Sequence, residues 1–267
     1  MNHIMLDCYG ANPVLLENMK YLNKIMNEIP YVLGITPVNP PTIIPYYYGK
    51  VGDDDGISAF VILEGGHLTI HTFPIRKCYF VDIYAVKDID KNVLIDYLKE
   101  NLPYNEDASI INERNRNASL FHTSDYQPKF DFGPHVLLKI DGNQDIHMED
   151  IYDFLEQIVQ KIGMTPIIRP YVLKSTVFNN RYLSGMTMIA ESHISFHFDR
   201  EEKVIYADIF SCTSFDYTMV LDIFKKFGEI RSYEVVARGT KHYSKIKNIK
   251  EDFEKKASEV WKKSIYK

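Results

Sequence analysis

The stretch AESHISFHF, Ala190 to Phe198, holds the most reactive arrangement in the chain: Glu191-Ser192-His193, then His197, with Asp208 and Cys212 downstream. A hydroxyl near imidazoles can act as a nucleophile, because histidine takes up and returns protons near neutral pH. A thiol such as that of Cys212 can donate a proton from a pKa within reach of neutrality. A near copy, EGGHLTIHTF, lies about half a chain earlier. It keeps His67 and His71, but Gly66 stands where the later copy has Ser192. Glycine offers neither a nucleophile nor a leaving oxygen.

Each part has a plainer reading. Histidines at i and i+4 bind zinc when they share a helix face, but here the alternating, β-branched context predicts strands. Two histidines alone are a poor zinc site, so no metal is assigned, and hydrogen-bonded pairs on one sheet face are the alternative. No G-x-S-x-G elbow surrounds Ser192, which speaks against a hydrolase triad. Cys212 on its own reads as a small buried hydrophobe.

The elements that must position these residues come in two sets. NHIMLDCYG and PHVLLKIDG are short apolar strands that follow or contain His3 and His135 and end in glycine. Helical patterns follow: Leu15, Met19, Leu22, Met26 and Ile29 after the cap pair Asn12-Pro13, then Ile151, Leu155, Ile158 and Ile162. ISAFVILEGGHLTIHTF matches LSGMTMIAESHISFHF, and KCYFVDIYAV matches KVIYADIFSC. Second helices are predicted at 93–98 and 219–224, and ASIINERN and SYEVVARG close each set as strands. The predicted class is α+β: tandem repeats, each an antiparallel sheet with helices on one face. The boundaries are 1–117 for the first repeat, 118–131 for a polar connector, 132–245 for the second repeat and 246–267 for an amphipathic helix carrying Phe253, Ala257, Val260 and Trp261.

A length of 267 residues and 45% hydrophobic content suit a soluble globular chain. The net charge of -5 gives no basic footprint for nucleic acid, and no apolar run reaches membrane-spanning length. The N-terminus MNHIMLDCYG does not read as a secretion signal. Cys8, Cys78 and Cys212 are too scattered for a disulfide frame or zinc knuckle, so a cytoplasmic location is expected.

Jointly, Glu191-Ser192-His193, His197, Asp208 and Cys212 closely resemble the prokaryotic S-adenosylmethionine decarboxylase family, over nearly the whole chain. The resemblance implies self-cleavage between Glu191 and Ser192, with Ser192 converted into a pyruvoyl cofactor whose carbonyl condenses with the substrate amine. It makes His197 and Ser184 helpers in processing, and Cys212 the proton donor after loss of carbon dioxide. Phe178 falls at the family's adenine-stacking position and Glu201 at its ribose-binding glutamate. Here Asp199-Arg200-Glu201 stands where members usually have Trp-Pro-Glu. The implied substrate is S-adenosylmethionine, the implied product serves spermidine synthesis, and the cleaved chains are expected to stay associated, with further homo-oligomerisation left open. The first repeat has Val86 at the cysteine position and Ile75 at the glutamate position. It keeps Ser58, His71 and Phe73-Pro74, which read as remnants of a retired copy. Regular alternation would set Ser192 and His197 on opposite strand faces, so a kink at Glu191-Ser192, or a strand start after it, is expected. Two other readings compete: the same machinery acting on ornithine or arginine, and an uncleaved, non-catalytic paralogue.

Overall fold

Strands with alternating side chains and helices with one apolar face can satisfy each other only by stacking in layers. The structure, a computed structural model, describes residues 1–240 apart from 48, 50, 51, 119–122, 143, 144, 176–178 and 191. The first half runs β1 (Asn2–Tyr9), α1 (Pro13–Leu16), α2 (Met19–Val32), β2 (Thr42–Tyr46), β3 (Gly56–Leu63), β4 (Gly66–Phe73), β5 (Cys78–Ala85), α3 (Lys91–Asn101) and β6 (Ile110–Asn115). After β7 (Thr123–Ser124), the second half repeats the order: β8 (Gly133–Gly142), α4 (Met148–Lys161), β9 (Tyr171–Lys174), β10 (Tyr182–Ile189), β11 (Ser192–Asp199), β12 (Val204–Ser211), α5 (Tyr217–Phe224) and β13 (Gly228–Arg238).

The first half forms a six-stranded sheet in the order β2-β3-β4-β5-β1-β6, and the second a seven-stranded sheet in the order β7-β13-β8-β12-β11-β10-β9. Apart from β7 the orders are equivalent, and the ladders are antiparallel throughout except where β7 runs parallel to β13. The expected α+β tandem repeat is thus present. The polar connector differs from expectation in lending β7 to the second sheet, with the side chain of Tyr126 packed on that half's core. The helix expected over 246–267 lies outside the described residues.

Each sheet packs its helices on one face. Leu68 and Ile70 of β4 join Leu22, Ile25, Met26 and Ile29 of α2. Ile194, Phe196 and Phe198 of β11 join Phe154, Leu155 and Ile158 of α4. The other faces meet: Phe60 and Ile62 pack with Met186 and Met188, and Phe73 and Phe80 with Phe210. The first predicted helix is broken in two, because the side chain of Asn18 caps the backbone N–H of Tyr21 and starts a new helix. Met19 consequently lies exposed in the first turn and is not part of the buried stripe.

Candidate active site

Period-2 alternation sends the residues between those apolar positions into the space between the sheets. That space holds His67 and His71 of β4, His193, Ser195 and His197 of β11, Asp82 of β5, Asp208 of β12, His3 of β1 and His135 of β8, all buried. Their contacts are reciprocal. Ser58 Oγ lies 2.9 Å from His71 Nδ1, and His71 Nε2 lies 2.8 Å from His193 Nδ1. In the mirrored set, Ser184 Oγ lies 2.9 Å from His197 Nδ1, and His197 Nε2 lies 2.9 Å from His67 Nδ1. Each ring pair is stacked, with interplanar angles of 6° for His71–His193 and 11° for His67–His197. Burial pushes His67 down to about 3 and His3 to about 4, and holds His71 and His197 well below the ordinary histidine range, with neighbouring histidines adding to it for His71 and His197.

Two arginines fix the proton positions of two other rings. Arg116 donates to His3 Nδ1 at 3.0 Å, and Arg238 donates to His135 Nδ1 at 2.8 Å. A guanidinium only donates, so each neutral ring carries its proton on Nε2. From there His135 donates to Asp208 Oδ2 at 3.1 Å, and His3 Nε2 lies 3.7 Å from Asp82 Oδ1. Groupings such as His3, His67 and Asp208, whose ligating atoms lie within 4.8 Å of one another, have a metal-like composition. A proton on His3 Nε2 occupies the lone pair a metal would need. Arg116 and Arg238 occupy equivalent places just after β6 and at the end of β13, a repeat visible in NRN and ARG but unread in the sequence.

The carboxylates divide the site unequally. Asp208 accepts from His135, from His193 Nε2 at 3.2 Å and from Ser195 Oγ at 2.5 Å. Asp82 instead receives Arg238 Nη1 at 2.6 Å, while Asp7 receives Arg238 Nε at 2.7 Å. Burial opposes both charges in that second group. For Asp82, Arg238 and the nearby histidines outweigh burial and hold its carboxyl well below the usual range. Asp7 has the arginine but not the histidines, and burial wins, pushing it up.

Ser192 opens β11, paired with Ile189 on one side and Ser211 on the other. The expected irregularity is there: Ser192 has φ of 153°, a region L-residues seldom adopt and which costs of order 1–3 kcal/mol. Its hydroxyl is buried and has no hydrogen-bond partner among the described residues. Cys212 follows β12 directly, one residue beyond the Ser211 that pairs with Ser192, and is half-buried. Glu191 and Phe178 lie outside the described residues.

Of the sequence-selected residues, Ser184 and His197 come together, but not beside Ser192. His197 lies about 17 Å away along β11, at roughly 3.4 Å per residue, and pairs with Tyr206. Glu201 sits in the turn beyond Asp199, at the opposite end of β11, where its carboxylate meets Arg181 at 2.9 Å. The histidine that reaches the Ser192 end is His71, through its contact with His193. Phe73 packs there as well, on Phe132, with ring centroids 5.7 Å apart. Phe132 precedes Gly133, where an added Cβ would stand 1.7 Å from the Ser211 carbonyl oxygen. The missed signal was the retention of Ser58, His71 and Phe73 in a half without the serine.

The two ends also differ in the side chains that flank them. At the Gly66 end, a Cβ on Gly65 would meet Val86 at 2.8 Å and the ring of Tyr182 at 3.0 Å, so these side chains fill the place. At the Ser192 end the equivalents are Gly56, which has no side chain, and Cys212.

Fold and site define a class: a duplicated helix–sheet–sheet–helix sandwich that holds one buried, strained serine at the edge of an inter-sheet histidine network. The chain belongs to the S-adenosylmethionine decarboxylase family, whose model matches residues 2–115 and 140–238. It is 33% identical over 101 residues to an S-adenosylmethionine decarboxylase proenzyme of Thermosipho melanesiensis, covering 37% of this chain and 71% of the relative. A relative of the same description from Clostridium botulinum is 32% identical over 101 residues, covering 38% of this chain and 81% of the relative. Among the described residues no helix is long and apolar enough to cross a membrane.

Proposed function

We propose that the chain is a self-processing S-adenosylmethionine decarboxylase, with its working end at Ser192 and Cys212 of the second half and at Ser58 and His71 of the first. The observation that carries this reading is the Ser192 hydroxyl, buried, unpartnered among the described residues and held at positive φ on the strand end that His71 approaches. The hydroxyl attacks the Glu191 carbonyl and moves the acyl group from nitrogen to oxygen. Removal of the Ser192 α-proton then breaks the Cβ–Oγ bond, frees Glu191 as a carboxylate and leaves a double bond at position 192. Tautomerisation and hydrolysis release ammonia and leave a pyruvoyl group. A residue strained at positive φ suits this conversion, because the product has a planar α-carbon.

The pyruvoyl carbonyl would supply the electron sink for loss of carbon dioxide. His71 moves protons at Nδ1, oriented there by Ser58, and Cys212 returns a proton to the product. In this reading Ser184 and His197 serve the closed, serine-free end and not the cleavage site. The cleaved chains stay associated, because β10 and β11 flank the break and remain paired along their length.

A second reading, decarboxylation of ornithine or arginine by the same machinery, is not favoured by the family or the relatives and has one observation on its side. The end of β3 nearest Ser192 is preceded by Asp53-Asp54-Asp55, with Arg76 on Asp54 at 2.7 Å, whereas Glu201 lies at the far end. Carboxylates suit an ammonium or guanidinium side chain.

Intact mass and gel analysis of the purified chain test the processing step. Wild type should split between Glu191 and Ser192, and Ser192→Ala should remain at 31.1 kDa. Carbon dioxide release from S-adenosylmethionine, ornithine and arginine, measured side by side, then separates the two readings. An uncleaved wild type would remove both.

A further inference from the structure

Resting on that reading of the Ser192 end, we propose that His193 and Asp208 are positioning residues for His71, and that Ser58–His71–His193–Asp208 acts as one proton relay. The carboxylate of Asp208 is faced by His135 of β8, His193 and Ser195 of β11 and His67 of β4. The first three donate to it. With His193 Nε2–H on Asp208, a neutral His193 presents Nδ1 as an acceptor to His71 Nε2–H. His71 Nδ1 is then left as the basic atom, beside the hydroxyl of Ser58. Beyond these contacts, the charged or titratable groups around His71 are Asp82, Arg238 and His135.

The relay balances without any further reactant. Ser58 passes its hydroxyl proton to His71 Nδ1 as it takes one from the reacting group, which makes that ring an imidazolium. Its Nε2 proton passes to His193 Nδ1, so the positive charge ends on His193, hydrogen-bonded to the Asp208 carboxylate. The reverse transfers return the proton to the reacting group. A carboxylate at the end of the chain stabilises the imidazolium that the step creates, as the acid of a hydrolase triad does.

The mirrored set stops short. Ser184, His197 and His67 repeat the first members, but His67 Nε2 has no hydrogen-bond partner among the described residues and stands 3.8 Å from Asp208 Oδ1. The carboxylate in the equivalent place, Asp82, is taken by Arg238. Only one arm therefore ends on a hydrogen-bonded carboxylate, and it is the arm that leads to the end with Ser192 and Cys212.

His193 and His67 are equally buried and equivalent by fold, so His193→Gln and His67→Gln form a matched pair. The reading predicts that His193→Gln slows self-cleavage about 100-fold, and His67→Gln by no more than about threefold, on the scale of general-base effects. Asp208→Asn, which keeps the side chain's shape, should slow cleavage and move the acid limb of its pH–rate profile to lower pH, because the base loses the charge that supports its protonation. This variant also decides the matter should His193→Gln fail to fold, as judged by its melting transition. Equal slowing of the matched pair, no slowing of either, or an acid limb unmoved in Asp208→Asn would overturn the relay while wild type still cleaves. A wild type that never cleaves would instead remove the reading on which the relay rests.

Discussion

Replacing His71 or His197 by glutamine tests which histidine serves Ser192. The two are equivalent by fold, each fully buried, each bonded to a serine at 2.9 Å and each stacked on a partner histidine. Loss of packing and hydrogen bonds should therefore cost both variants similar stability. Their positions differ. A general base must come within about 3.2 Å of the proton it takes, or act through one water. His197, about 17 Å along β11 from Ser192 at roughly 3.4 Å per residue, is too far by several water diameters. His71 meets His193, the residue bonded to Ser192. General-base catalysis contributes about 10²–10⁴-fold, equivalent to roughly 2.7–5.5 kcal/mol in the barrier. His71→Gln should accordingly slow cleavage by at least about 100-fold, and His197→Gln only as far as its altered stability requires. The assay is a time course of the two fragments on a gel, from freshly made precursor, with melting temperatures of both variants alongside. Prompt cleavage in His71→Gln together with a full-length His197→Gln would refute the composite site and return the role to the histidine within the same repeat.

Restoring the serine of the first half by Gly66→Ser should not create a second cleavage site. Its Cβ would stand 2.0 Å from the Tyr84 carbonyl oxygen, and overpacking against backbone costs about 1–3 kcal/mol or more, so a lowered melting temperature and no new fragment are expected. Arg238→Met leaves Asp7 and Asp82 buried without their cation, which should cost about 3–5 kcal/mol in denaturant unfolding, and a loss under about 1 kcal/mol would contradict the network described. The buried histidines set the response to acid. The folded-state pKa of His67 is near 3 and that of His3 near 4, both below the unfolded value of 6.5, so the unfolded chain binds more protons as pH falls. Stability is full above about 6.5 and declines below it, by up to about 1.4 kcal/mol per pH unit for each such histidine until its folded pKa is reached. Melting scans should fall steadily from pH 7 to 4.5, and a flat response over that range would show these rings to be solvated.

Several features were legible in the sequence because they are local. The repeated order of strands and helices follows from apolar periodicity, which each segment carries by itself. The contrast of Ser192 and Cys212 with Gly66 and Val86 is a matter of residue identity. The irregularity expected at Ser192 is present, but the reason for expecting it, a shared face for Ser192 and His197, does not hold, because β11 sets the two well apart. The break between α1 and α2 was less legible, since Asn18 competes with an apolar pattern that runs straight through it. What only the tertiary structure decided is the pairing across the sheets. Spacing along one strand groups Ser192 with His197 and Glu201, yet an extended strand carries residues so separated to opposite ends. Packing the sheets face to face then brings His71 of the other repeat to His193, beside the serine. The same packing brings Arg238 of the second sheet to Asp7 and Asp82 of the first. These contacts join residues more than a hundred positions apart, and no local preference of the chain encodes them.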